Sequence, residues 1–328
     1  MVLWLPGPGT ATGEDSAELH LHGGRAVVAA VLAALAALPG LRQALPGEFT
    51  RRAFANGRID LAEAEGLADL LTAETELQRR AALAMADGAL SRLVAGWRDK
   101  VLALSARLEA ALDFSDEDDV GADLPAGFAA DAGALADDLG AWLARPRAEP
   151  LSEGYRVVLA GPPNAGKSTL FNALVDDEAA ITAAEPGTTR DVLVRAVAID
   201  GVPFTFIDTA GLREHGAGEI ERIGIARAMA EAGKADLVLW LGSEGEGPAG
   251  QPLWEIESRI DRQEREVKRN ARFRLSALTG EGMSGFRSGL VNHARAALPA
   301  PGEAALNARQ AGLLGEVVAA LETGAGLP

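Results

Sequence analysis

Residues 151–300 predict an α/β domain with a mainly parallel sheet, inserted in an otherwise α-helical chain and preceded by a small α/β module. Three features point there. Short β-prone runs alternate with helical stretches through that segment, apolar residues recur at three- and four-residue spacing on both sides of it, and a glycine-rich turn at 161–168 separates a strand from a helix. Alternating strands and helices favour a parallel sheet covered on both faces, with ligands outside the carboxyl ends of its strands.

Residues 1–24 are rich in Gly, Pro and Thr and end in the alternating run Glu18-Leu19-His20-Leu21-His22-Gly23-Gly24, which reads as a strand and a turn. Ala26 to Leu38 and Leu61 to Leu112 carry the spacing of long amphipathic helices. The acidic run Asp116-Glu117-Asp118-Asp119 follows Phe114 and precedes Gly121 and Pro125, so it reads as a helix end and solvated loop, with a metal cluster as the lesser alternative. A helix is expected from Gly127 to Leu143, then a linker from Arg145 to Pro150. Beyond it, Tyr155 to Ala160 predicts a strand, Val197 to Ile207 a hairpin and Leu237 to Leu241 a buried strand, and helical patterning returns after Pro301. The expected divisions are 1–55, 56–150, 151–300 and 301–328.

Composition narrows the function. The 328 residues, 48% hydrophobic, suit two or three domains with their own cores. The alanine-rich run 26–38 is shorter than the roughly 18 to 20 residues that span a bilayer, and Met1 to Pro6 lacks the basic flank of a secretory signal, so a cytoplasmic protein is expected. The absence of cysteine excludes disulfides, thiolate zinc sites and a cysteine nucleophile within this sequence. A net charge of −16 argues against a broad nucleic-acid surface, so RNA contact is expected to be local or supplied by a partner. His20 and His22 fall on one face of the expected strand; with no third ligand evident, a polar strand face is the preferred reading over a metal site.

Gly161-Pro162-Pro163-Asn164-Ala165-Gly166-Lys167-Ser168 fits Gly-x-x-x-x-Gly-Lys-Ser/Thr between a predicted strand and a predicted helix. The glycines let backbone N–H groups turn toward phosphate oxygens, the helix N-terminus adds positive potential, and Lys167 can reach the β and γ phosphates. The Ser168 hydroxyl is then a magnesium ligand. The bland alternative is a turn that merely joins strand to helix. Asp208-Thr209-Ala210-Gly211 follows the run Phe204 to Ile207, placing a carboxylate at a strand tip where it can hold magnesium through water, with the Gly211 N–H available to the γ-phosphate. Between these motifs, Gly187-Thr188-Thr189-Arg190-Asp191 can close over the metal as a switch or, read alone, is an ordinary loop.

In this order the motifs resemble the MnmE/TrmE family of tRNA modification GTPases over nearly the whole chain. Pro46-Gly47-Glu48-Phe49-Thr50-Arg51-Arg52-Ala53-Phe54 and Asp60-Leu61-Ala62-Glu63-Ala64-Glu65 look like the family's junction into its helical domain. Gly187 to Asp191, Asp208 to Arg213 and Glu221-Arg222-Ile223-Gly224 look like its G-domain switches. The resemblance implies a P-loop GTPase domain within a helical domain, after a partial folate-binding-like module. It implies a potassium-stimulated GTPase that dimerises through its G domains and acts with a flavoprotein of the MnmG/GidA type on the wobble uridine (position 34) of tRNA, using a 5-formyl- or methylene-tetrahydrofolate one-carbon unit. The GTP/GDP site would comprise Asn164, Ala165, Gly166, Lys167, Ser168, Thr169, Thr188, Thr189, Asp208, Gly211, Asp261, Ser276 and Ala277. Mg2+ would be held by Ser168, Thr189 and Asp208, and K+ by Asn164 with backbone carbonyls around Ala183 to Gly187. Glu221 matches the catalytic glutamate, although one more residue separates it from Asp208 than the family pattern has; the alternative is a helix-start carboxylate favoured by the dipole.

The match departs at the base. Where related GTPases carry Asn-Lys-x-Asp, this chain has Ser258-Arg259-Ile260-Asp261. Asp261 keeps the guanine-reading carboxylate and the Arg259 stem can cover the base, but Ser258 is too short to do all that asparagine does, so weakened guanine selectivity is expected. Ser276-Ala277-Leu278 resembles the last base-contacting loop, with Thr279-Gly280-Glu281-Gly282 after it. The resemblance starts inside the folate domain at Leu3-Trp4-Leu5-Pro6-Gly7-Pro8, includes Thr12-Gly13-Glu14-Asp15, and stops at Pro328 ahead of the family's Cys-x-Gly-Lys segment. The expectation is a chain that hydrolyses GTP without itself completing the modification. The competing readings are a truncated module that only binds nucleotide and dimerises, and a ribosome-assembly or translation GTPase, in which the long helical segment would have no role.

Overall fold

The computed structural model describes residues 1–113, 126–175, 193–208, 233–263 and 267–325. The acidic run 116–119 lies outside them. At the N-terminus, β1 (Val2–Leu5) and β2 (Ser16–Leu19) form an antiparallel pair with Leu3 opposite Glu18, followed by α1 (Arg25–Ala36) and α2 (Glu48–Ala55). β2 ends at Leu19, short of the expected run to Gly24, so His20 and His22 share no strand face; the His20 ring instead meets Glu18 at 3.1 Å.

The helical run expected over 61–112 is three helices, α3 (Leu61–Thr72), α4 (Glu76–Ala86) and α5 (Ala89–Asp113). Local chemistry makes the breaks. Asp60 accepts from the Glu63 N–H at 2.9 Å while Glu63 accepts from the Asp60 N–H at 2.8 Å, and Thr75 and Gln78 repeat this reciprocal cap at the start of α4. Gly88, at φ 77, turns the chain between α4 and α5. Then come α6 (Phe128–Leu143), close to the expected bounds, and α7 (Glu149–Ser152), a single turn at the end of the expected linker.

The α/β unit follows as β3 (Tyr155–Ala160), α8 (Lys167–Val175), β4 (Leu193–Ile199), β5 (Val202–Asp208), β6 (Leu237–Trp240), β7 (Leu253–Glu257), β8 (Phe273–Arg274) and α9 (Met283–Ala297). The six strands run in the order β4-β5-β3-β6-β7-β8, parallel throughout except for β4, which pairs antiparallel with β5. The predicted hairpin is this edge pair. Its two-residue turn is Asp200-Gly201, with φ 49 and 76, the positive values that a tight hairpin turn matching strand twist requires. Val157, Leu159, Phe204, Phe206, Leu237 and Leu239 are almost wholly buried on the sheet, and Leu170 and Leu174 of α8 and Phe286 and Leu290 of α9 pack in the same core.

After the sheet the chain returns to the helices as α10 (Ala308–Ala325). Its Leu314, Val318 and Leu321 pack on a core made by Trp97 and Leu104 of α5 and Leu135 and Leu139 of α6. Helices on either side of the α/β unit thus share one apolar interior, and the unit is an insertion. Among the described residues no helix is long and apolar enough to cross a membrane.

Glu65 of α3 fastens the return. Its carboxylate accepts from Asn307 Nδ2 at 3.2 Å, Arg309 Nη2 at 2.7 Å and Gln310 Nε2 at 2.8 Å. Replacing Glu65 by Ala leaves three donors to water, and the expected loss is about 1–3 kcal/mol of unfolding free energy. Urea denaturation measures it; an unchanged midpoint would show that solvent screens the clamp completely.

Candidate nucleotide site

The glycine-rich turn connects the carboxyl end of β3, a central strand, to the first turn of α8. Gly161 adopts φ 148 and lies so close to the end of β6 that a Cβ there would stand 3.1 Å from the Gly242 nitrogen. No side chain fits. Gly166, at φ 96, is the other position where the loop depends on glycine. Lys167 is 4% exposed, and its Nζ folds back across the loop to donate to the carbonyls of Gly161 at 3.0 Å and Pro162 at 2.8 Å. This puts an ammonium at the mouth of a helix N-terminus, where both its charge and the backbone N–H groups favour phosphate.

The neighbouring strand completes the inner edge. The parallel register sets Asp208 opposite Leu159, so the last residue of β5 arrives beside the loop, fully buried. Ser168 Oγ donates to Asp208 Oδ2 at 2.8 Å. A hydroxyl and a carboxylate oxygen beside a phosphate loop make a hard-oxygen donor pair suited to Mg2+.

The outer edge comes from β7 and β8. Past Glu257 the chain turns through Ser258, whose Oγ donates to the Ala165 carbonyl at 2.6 Å, and Arg259, whose Nη1 donates to the Asn164 carbonyl. A cavity of about 160 Å³ opens between these loops, lined by Gly166, Thr169, Arg259, Asp261, Ser276 and Ala277 among others. The Asp261 carboxyl is held below its ordinary range, first by the Ser276 hydroxyl that donates to it. Ser276 is itself fixed, since its Oγ accepts from the Thr279 N–H at 3.2 Å and its N–H donates to the Glu281 carbonyl at 2.9 Å. The β7 and β8 edge is stiffened by two ion pairs, Lys268 with Glu255 at 2.6 Å and Arg274 with Glu257 at 2.9 Å.

Asn164, Ala165, Gly166, Lys167, Ser168, Thr169, Asp208, Asp261, Ser276 and Ala277 therefore surround one rim at the carboxyl ends of β3, β5, β7 and β8. Ala183, Gly187, Thr188, Thr189, Gly211 and Glu221 lie outside the described residues. Ser258, expected to do only part of what asparagine does, reaches the phosphate loop through one hydrogen bond. The ties from Ser258 and Arg259 span 93 and 95 positions, and no local pattern announces them.

Comparison with known proteins agrees along the chain. The model of the MnmE helical domain matches residues 61–326, and that of the GTP-binding protein TrmE N-terminus matches 1–58. The tRNA modification GTPase MnmE of Novosphingobium aromaticivorans is 74% identical over 333 residues, covering 99% of this chain and 76% of that protein. The corresponding protein of Erythrobacter litoralis is 63% identical over 321 residues, covering 98% and 75%. Among solved structures, the G domain of the T. maritima FeoB iron transporter aligns with 42% of this chain and 98% of its own length at 26% identity and a TM-score of 0.31. With both family models in register and identity this high across nearly every residue, the chain belongs to the MnmE family of tRNA modification GTPases.

Proposed function

We propose that this chain binds GTP and GDP at the rim formed by Lys167, Ser168, Asp208 and Asp261, and hydrolyses GTP in support of wobble-uridine (position 34) modification of tRNA. The observation that carries the reading is the pairing of a buried Lys167 and a Ser168–Asp208 contact with an adjoining cavity that holds Asp261. Lys167 exchanges its two carbonyl partners for β- and γ-phosphate oxygens, while the N–H groups of Gly166 and the first turn of α8 orient them. Asp261 accepts two hydrogen bonds from the guanine edge.

Ser168, Asp208 and Thr189 would hold Mg2+, which when bound offsets phosphate charge. The Ser168 and Asp208 oxygens, 2.8 Å apart, suit that role. K+ would be held by the Asn164 side chain with backbone carbonyls from Ala183 to Gly187, and when bound supplies the charge that an arginine finger supplies elsewhere. Asn164 fits, because its exposed amide makes no hydrogen bond to described residues and keeps its oxygen available. Thr188 and the Gly211 N–H would close on the γ-phosphate, and Glu221 would orient the attacking water.

The wider reading is a cytoplasmic homodimer joined through its G domains, acting with an MnmG/GidA-type flavoprotein and a tetrahydrofolate one-carbon donor. In it residues 1–55 belong to the folate-binding-like part, 151–300 to the G domain, and 56–150 with 301–328 to the helical part. A net charge of −16 favours tRNA being held mainly through the partner.

Lys167→Ala is expected to lower GDP and GTP affinity by at least about a hundredfold, the size of two lost charge-assisted hydrogen bonds. Isothermal calorimetry checks this, and unchanged affinity would remove the phosphate assignment. Hydrolysis is expected to run faster in potassium than in sodium, with Asn164→Ala erasing the difference; equal rates of the unmodified chain in matched salts would discard Asn164 as the ligand. With serine in place of the base-loop asparagine, ATP is expected to compete against labelled GTP about one to two decades better than in a GTPase carrying Asn-Lys-x-Asp. Complete exclusion of ATP would mean that Ser258–Asp261 is not the base-reading motif.

A further inference from the structure

Asn164, Asp200 and Arg259 are the non-glycine residues with left-handed backbone among those described, at φ 60, 49 and 58. Asp200 occupies the hairpin turn that requires it. Asn164 and Arg259 stand in different loops, and the Arg259 guanidinium donates to the Asn164 carbonyl. Unfavourable backbone conformations persist where surrounding contacts over-determine them and collect at sites that use them. Here each of the two residues helps to hold the other.

The neighbouring contacts make the tie directional. Ser258 fastens the same base loop to Ala165, one residue along, so two successive bonds lace the loops together. The Arg259 stem passes over Gly166, where a Cβ would stand 3.4 Å from Arg259 Cγ, and the same stem walls the base cavity beside Asp261 and Ser276. A base seated in the cavity packs against that stem and limits its rotamers. The guanidinium then stays on Asn164.

We infer that Arg259 is a positioning residue that couples the base cavity to the monovalent-cation response of the site by holding Asn164 in its left-handed conformation. The inference rests on the reading of Asn164 as a potassium ligand. The direction in which the Asn164 amide projects follows from its backbone, so releasing its carbonyl scatters the amide oxygen over several orientations. Coupling between two bound species is reciprocal: potassium should raise the affinity for guanine nucleotide, with slower release as its sign, and bound nucleotide should raise the affinity for potassium by the same factor as potassium raises that for nucleotide.

The test measures release of a fluorescent GDP, alongside GTP hydrolysis, across a titration of KCl replaced by NaCl at constant ionic strength. Arg259→Met keeps an apolar stem over Gly166 without donors, and Arg259→Lys returns one donor. The expected result is slower GDP release in potassium for the unmodified chain, a potassium midpoint about tenfold higher for Arg259→Met, as befits one lost hydrogen bond from a charged donor, and recovery of most of that shift in Arg259→Lys. A midpoint in Arg259→Met equal to that of the unmodified chain would overturn the inference while leaving Asn164 as a ligand. So would equal impairment of the Met and Lys variants, which would mark a purely steric role. If the unmodified chain releases GDP and hydrolyses GTP identically in both salts, the potassium reading and this inference fall together. Thermal melting of each variant, expected to match the unmodified chain because the Arg259 guanidinium lies at the exposed rim, separates these outcomes from misfolding.

Discussion

A carboxylate removed from water must be answered by donors or a cation, and Asp208, with no exposed surface, places that demand at the centre of the molecule. The parallel register between β3 and β5 brings it opposite Leu159, and the Ser168 hydroxyl provides one of the answers. The strand end, the loop and the first turn of α8 are thereby held to one another. Gly161 follows from this closeness, since the loop passes against the end of β6 there, and Gly166 from the left-handed backbone that leads into α8. The loop after β7 is fastened to the same place from the other side, by Ser258 and Arg259.

What could be read from the sequence is what local chemistry encodes. The phosphate loop was legible because its glycines and lysine act within eight residues, and the β4–β5 hairpin because Asp200-Gly201 separates two apolar runs. The caps that divide the long helical stretch are also local, Asp60 with Glu63 and Thr75 with Gln78, but three- and four-residue apolar spacing continues through them and conceals the breaks. β7 went unread for a different reason. Its Glu255 and Glu257 break an apolar pattern, and they are tolerated in the sheet because Lys268 and Arg274, 13 and 17 residues away, pair with them. The ties from residues 258 and 259 to 165 and 164 cross most of the α/β unit, beyond any window of periodicity.

The helical part shows the same division between local and distant causes. Amphipathic spacing foretold helices, yet it gives no sign that α10 completes a core begun two hundred residues earlier by Trp97 and Leu104. Trp97 also donates through its indole N–H to Asp138 at 3.2 Å, so even its polar edge is committed to α6. With Glu65 bound to the first residues of α10 and their approach, the two halves of the helical part are joined by apolar packing along the helices and by a polar clamp at one end.

The chain enters and leaves the α/β unit through neighbouring points, for the Ala148 N–H donates to the Leu306 carbonyl at 3.1 Å. A module whose two ends meet can be lifted out of its host. Joining residue 148 to residue 306 by a short linker would excise the sheet while leaving α5, α6 and α10 in their shared core, and the excised piece would carry the phosphate loop, the loop after β7 and the sheet together. The attachment is a seam and not a single point, since Gln78 of α4 donates to the carbonyls of Leu151 and Ser152, and Leu77 and Ala81 of the same helix pack on the core of the sheet.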